Sequence, residues 1–156
     1  MGLHPTSSEI CFVDSMRKWL TTIVGPTLLN AEQIVNVDDY EAVSYVFNNE
    51  QMHRFLIYKL GEAHGINQVQ RACGVSVLTR MDPGNRWALG MVDHLKQYIV
   101  PGLCIPLRDY VTGTGQIVHQ MTIQDAAVGP FMEEQDNFRS KAISFLLGYA
   151  QVWTTN

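Results

Sequence analysis

Apolar positions recur along this chain at steps of three and four, the spacing that lines one face of a helix. Phe12, Met16, Trp19, Leu20 and Ile23 form the first such stripe. Thr6-Ser-Ser-Glu9 before it has the spacing of a capping box, in which a hydroxyl and a carboxylate satisfy free N–H groups reciprocally. Gly25-Pro26 closes it. A second stripe runs from Tyr40 to Leu60 through Ala42, Val43, Val46, Phe47, Phe55 and Leu56, with Asp38 and Glu41 as an acidic start. Gly61 and Gly65 are its stops. A third, Ile66 to Met81, carries Val69, Cys73 and Val77 at four-residue steps. After the breaker Asp82-Pro83-Gly84 a fourth opens at Asn85, a residue suited to an N-cap, and bears Trp87, Met91, Leu95 and Tyr98.

Beyond Pro101-Gly102 and Pro106 the pattern weakens, because proline removes a donor and collides with the preceding turn. "TGTGQ" at 112–116 reads as a loop, and Ile117 to Ala127 is faintly helical. Pro130 suits a first helical position. Asp136-Asn137 then precede Phe138, Ala142, Phe145 and Tyr149 on one face of a last helix. Strict two-residue alternation is not evident, so strands have little claim. The predicted fold is all-α: one domain over 1–156, built as a compact bundle of about seven helices.

Composition narrows the function classes. The chain is 46% hydrophobic and 17% charged, which is the make-up of a folded domain, not a disordered one. A formal charge of −4 and no basic stripe argue against a nucleic-acid partner. Cys11, Cys73 and Cys104 are odd in number and widely spaced, which points to a reducing compartment. No secretory leader or membrane span is expected, and the predicted location is the cytoplasm.

Catalytic signatures are missing. No H-E-x-x-H, G-x-S-x-G or phosphate-loop motif occurs, and "GTGQ" lacks the lysine such a loop requires. Cys73 beside Asp93-His94 is a conceivable nucleophile and base, but Cys73 lies on an apolar stripe, as a small buried hydrophobe does. The five histidines show no ligand spacing. The expectation is a protein that is not an enzyme and has no cofactor and no metal.

Two stretches carry a resemblance. "GPFMEEQDNFRSKAISFLLGY" looks like the second homology region of the Bcl-2 family of apoptosis regulators, with Pro130, Phe131, Glu134, Phe138 and Phe145 at corresponding places. "LTRMDPGNRWALGMV" is similar to the first homology region, whose hallmark is Asn-Trp-Gly-Arg at the start of the central helix. Here the order is Asn85-Arg86-Trp87-Ala88, so the arginine precedes the tryptophan. The chain thus resembles the compact pro-survival members carried by large DNA viruses.

That resemblance implies helices around a central helical hairpin, with a hydrophobic groove that holds an amphipathic pro-death helix. Arg86 would pair with the aspartate of the bound helix, which gives a reason for a cation in a first helical turn, where the macrodipole disfavours it by about 0.3–1 kcal/mol. Tyr58, Phe55, Asn85, Leu78, Leu89, Val92 and Phe145 would complete the groove, with Trp87, Phe138 and Pro130 as structural residues. The implied function is inhibition of apoptosis by sequestering pro-apoptotic Bcl-2 proteins, in the cytoplasm or at the mitochondrial surface. Homodimerisation through an empty groove is a further expectation. Two alternatives stand beside it: an immune-signalling antagonist of the same fold that binds an adaptor by a helix face, and a helical structural or assembly protein.

Overall fold

A computed structural model describes residues 8–25, 33–112 and 114–151. Its centre is a six-stranded sheet, and three α-helices accompany it among the described residues. In chain order the elements are α1 (Ser8–Val24), β1 (Ile34–Asn36), α2 (Tyr40–Asn48), β2 (Arg54–Lys59) and β3 (Gln68–Thr79). A short 3-10 turn then leads into α3 (Arg86–Lys96), followed by β4 (Cys104–Asp109), β5 (Gln116–Glu133) and β6 (Arg139–Ala150). The strands lie in the order β1-β2-β3-β6-β5-β4. Only β1 with β2 is parallel; the remaining pairs are antiparallel. Bulges between Ile123 and Asp125 and between Val128 and Phe131 add local twist to the long strand β5.

This overturns the all-α bundle, its central helical hairpin and the Bcl-2 resemblance built on them. The cause is visible in β3. Val69, Cys73 and Val77 repeat every four residues, a step close to one helical turn of about 3.6 residues and also twice the strand's two-residue alternation. The residues between them decide, and they are Arg71 and Val75. Both are buried on the same face as the other three, so the alternation is complete, but a buried arginine disguises it. In β6, Ile143, Phe145, Leu147 and Tyr149 likewise share one face, while Leu146 among the intervening outward positions blurs the pattern. The predicted second helix is two elements: α2 ends at Asn48, and the aromatic, branched run Phe55-Leu56-Ile57-Tyr58 forms β2.

The two faces of the sheet are covered unequally. On the inner, concave face lie α1 and α3. Phe12, Met16 and Leu20 of α1 and Met91, Val92 and Leu95 of α3 meet Leu56, Val75, Val77, Ile105, Leu107, Met121 and Leu147 in one continuous core. On the outer face α2 covers only one end. Val46 and Phe47 close there with Val35, Phe55, Leu78 and Phe138 into a second, smaller cluster.

Two of the polar ties that anchor α1 to the sheet centre on buried charges. Arg71, 3% exposed, donates to both oxygens of Glu9 (3.0 and 2.6 Å), to the carbonyl of Gly61 (3.1 Å) and to the Tyr149 hydroxyl (3.0 Å). Its guanidinium also lies 3.9 Å from the centre of the Phe12 ring. Gly61 must be glycine, because a Cβ there would meet the Ala72 carbonyl oxygen of β3 at 2.0 Å. At the other end, buried Asp109 accepts from the Thr112 hydroxyl, from the N–H groups of Val111 and Thr112 (both 3.0 Å) and from Cys11 (3.7 Å).

Those bonds hold the Asp109 carboxyl below its ordinary value, the Thr112 hydroxyl contributing most and burial opposing it. The native state therefore binds this proton less readily than the unfolded chain. Asp109 stabilises the fold fully above the unfolded carboxylate pKa of about 3.9, and that contribution is lost as pH falls through the lower native value. Urea midpoints of wild type and Asp109→Asn are expected to differ most above pH 5 and to converge towards pH 2–3 (approximate bounds from the same linkage). A difference that grows in acid would contradict this role.

Candidate interaction face

The residues expected to line a helix-binding groove do not gather. Phe55 and Leu78 are paired across β2 and β3 on the outer face, beneath α2. Tyr58, Val92 and Phe145 belong to the inner core, on the opposite side of the sheet, with Phe145 edge-on to Trp19 at 6.3 Å. Leu89 is 43% exposed on α3, and Arg86 is exposed at the start of that helix. Trp87 is partly buried under the Arg54 guanidinium at 5.2 Å, Phe138 is fully buried in the outer cluster, and Pro130 sits exposed in β5.

The geometry around Arg86 has a simpler basis than a bound helix. Asn85 adopts a left-handed conformation (φ 55°) and does not cap α3 with its side chain; its Oδ1 accepts from Arg139 at 3.4 Å. Asp82 caps instead. Its two carboxylate oxygens accept from the N–H groups of Trp87 and Ala88, both at 3.0 Å. That carboxylate sits at the positive end of the helix and screens Arg86 there. The left-handed Gly84 (φ 66°) and Asn85 together fold the chain back so that Asp82 reaches these groups. The predicted Thr6 cap, Pro26 and Gly113 lie outside the described residues.

The concave interior is packed. Cys11, Met16, Leu56, Leu95, Ile105, Leu107, Met121 and Ile123 are all 0% exposed. Burial pushes the Cys73 thiol up from its ordinary value, although the Gly61 backbone and Arg71 oppose this, so it is held as thiol at neutral pH. Among the described residues no group of three or more His, Cys, Asp or Glu is arranged to hold a metal. Nor is any described helix long and apolar enough to cross a membrane.

Two of the surface concavities bear on function. One, of about 880 Å³, lies between α1, β1 and α2 and carries Asp14, Asp38, Asp39 and Glu41 around Arg17. Part of its polarity is already used: Asp39 caps α2 through the Ala42 N–H (3.1 Å), and the Tyr58 hydroxyl at its floor bonds to Asn36.

The other is the outer face of the sheet beyond α2, a shallow groove of about 580 Å³. Its floor is built from the outward positions of the two central strands, Ala72, Gly74 and Ser76 of β3 and Ala142, Ser144 and Leu146 of β6. Ile57 continues it onto β2 and Ala127 onto β5. These side chains are small or apolar, so another backbone can approach the sheet closely. Lys59 stands on the β2 flank and Asp125 on the β5 flank. Neither belongs to an ion pair among the described residues. This face was missed in the sequence because it requires the strand alternation: Ala72-x-Gly74-x-Ser76 and Ala142-x-Ser144-x-Leu146 become surfaces only once the segments are strands.

Comparison with known proteins bears on the fold alone. No protein-family model matches the chain, and no curated protein matches it, so nothing there supports a Bcl-2 relationship. A solved structure known only by a sequence identifier superposes with a TM-score of 0.53 over 94% of each chain at 13% identity. A sheet-dominated architecture of this length therefore has a solved precedent. Inhibition of apoptosis, the pro-death partners, the mitochondrial surface and the helical alternatives all rested on a bundle and groove that this chain does not form.

Proposed function

We propose that this chain is a protein-docking subunit, not an enzyme, and that it joins an assembly through the uncovered outer face of its sheet. The observation that carries this reading is the combination of small and apolar side chains at the centre of a six-stranded sheet with two oppositely charged flanks, neither in an ion pair among the described residues. A sheet face whose only purpose is solvation carries polar side chains in alternation with the core face. Here Ala72, Ala142, Ala127, Ile57 and Leu146 take that place.

The edges of the sheet favour a face-on mode of association. β1 is three residues long, and β4 carries Pro106, which offers no N–H to a further strand. Both features blunt edge-to-edge addition and leave the outer face as the surface for contact. The three thiols, buried at Cys11 and Cys73 and exposed at Cys104, form no disulfide, which accords with a cytoplasmic location.

Hydroxyl-radical footprinting tests the reading. Ile57 and Leu146 are expected to be labelled in the dilute purified chain and protected either at high concentration or in extract of the source cells. Equal labelling in all three conditions would retire a docking role for this face.

A further inference from the structure

We infer that the concavity between α1, β1 and α2 is a second docking surface, independent of the outer face, and that it seats a basic, extended segment of a partner protein. The charges here are one-sided. From Trp19 to His53 the chain contains no lysine or arginine, while Asp38, Asp39, Glu41 and Glu50 fall within that stretch. The fold adds Asp14 of α1 to the first three, so four exposed carboxylates line one hollow of about 880 Å³. Arg17 is the one basic side chain among the described residues that line it. Neither Arg17 nor any of the four carboxylates belongs to an ion pair among the described residues. Like charges gathered in a cleft focus a potential that draws the opposite charge. The dipole of α2 accounts for Asp38, Asp39 and Glu41 at its start. It does not account for Asp14, which stands part-way along a different helix.

The same wall exposes aromatic rings. Tyr40 is 81% exposed and Tyr45 52% exposed, both on the short helix α2. Tyr45 and Glu41 lie one turn apart and line the hollow together, with half-buried Val13, Ile34 and Ala42 beside them. A lysine or arginine side chain matches this chemistry at each point. Its stem lies along the apolar part, its head reaches the carboxylates, and the Tyr45 ring offers a face to the cation. Length favours a polymer over a small amine. A second hollow shares Glu41 and Tyr45 and runs on along α2 past Tyr40, Ser44 and Asn48. The nine residues of α2 span about 13 Å at 1.5 Å each, a length that about four residues of extended chain cover. Alternate side chains of such a segment point to one side, so basic residues two apart both face the carboxylates.

Fluorescence anisotropy of the full chain with a labelled, capped peptide of alternating arginine and leucine tests this inference. Wild type is expected to bind the peptide. Asp14→Asn and Glu41→Gln are each expected to weaken binding about two- to fivefold, the worth of one exposed ion pair, and the two together by about tenfold. Tyr45→Ala leaves the net charge unchanged and is expected to weaken binding by about two- to fivefold through the lost ring face. Glu62→Gln and Asp125→Asn each remove one negative charge at an exposed position away from the hollow, and are expected to leave binding unchanged. Circular dichroism confirms that each variant is folded. A wild type that does not bind, equal losses in Glu62→Gln or Asp125→Asn, or full affinity in Tyr45→Ala would each overturn the inference. Displacement of the peptide by an equal concentration of spermidine would also overturn it, making the ligand a small polyamine. Labelling of Ile57 and Leu146 reports on the outer face alone, so either docking role can fail without the other.

Discussion

Removing Glu9 is expected to cost more stability than removing Arg71, although the two form one pair. Arg71 is 3% exposed on the concave face, whereas the Glu9 side chain is 65% exposed on α1. Deleting one partner of a buried pair costs about 3–5 kcal/mol because the other charge is left uncompensated. In Glu9→Ala the stranded charge is the buried guanidinium, which keeps only Gly61 and Tyr149 as acceptors. Water entering along the exposed side of the pair softens the loss to about 2–3 kcal/mol. In Arg71→Met the stranded charge is Glu9, already in contact with solvent, and the methionine fills the space over Phe12 with apolar atoms. That change is expected to cost less than about 1.5 kcal/mol, as volume-conserving replacements do. Urea denaturation of the two variants measures both. Equal losses, or a greater loss for Arg71→Met, would mean that the guanidinium is worth more as a hydrogen-bond hub than it costs as a buried charge.

Phe138→Ala is expected to lower stability by about 3–5 kcal/mol, the range for truncating a fully buried phenylalanine. Its ring is edge-on to Phe47 at 5.5 Å and to Phe55 at 5.0 Å, and those two rings are edge-on to each other at 5.2 Å. The Arg80 guanidinium closes the stack at 4.4 Å from the Phe138 ring, so little can collapse into the space vacated. The cluster joins α2 to the β2–β3 pair and is separate from the inner core. The loss should therefore fall first on α2, seen as faster amide exchange over Tyr40–Asn48 while α1 stays protected. A loss below about 1 kcal/mol, or uniform loosening of both helices, would contradict a separate outer cluster.

Part of this architecture is legible in the sequence. The stripes of α1 and α3 are helical in the structure, because their neighbours on the opposite face are polar and the three-and-four spacing has no other explanation. Phe138 is an apolar anchor in both readings. The strands are concealed for particular reasons. Arg71 interrupts the apolar alternation of β3 at a position that proves to be buried, and its partner Glu9 is sixty-two residues away in the chain. Leu146 places a large apolar side chain on the face opposite Phe145 and Leu147, so β6 reads as helix. The central face is illegible for a different reason: alanine, glycine and serine carry no signal on their own, and Lys59 and Asp125 become flanks of one groove only through the pairing of four strands. The Bcl-2 resemblance drew on short runs of matching residue types, and the same types in a strand period serve another fold.

The two central strands, β3 and β6, are separated in the chain by the whole of α3, β4 and β5. During synthesis β3 therefore emerges long before the strand that will lie beside it, and its far edge waits unsatisfied while the intervening segments are made. Closing so distant a contact carries a large entropic barrier, which places assembly of the native state in the slow, millisecond-to-second regime of domains dominated by remote pairings. For a nascent polypeptide of this design, chaperone capture is set by how long that one edge stands open.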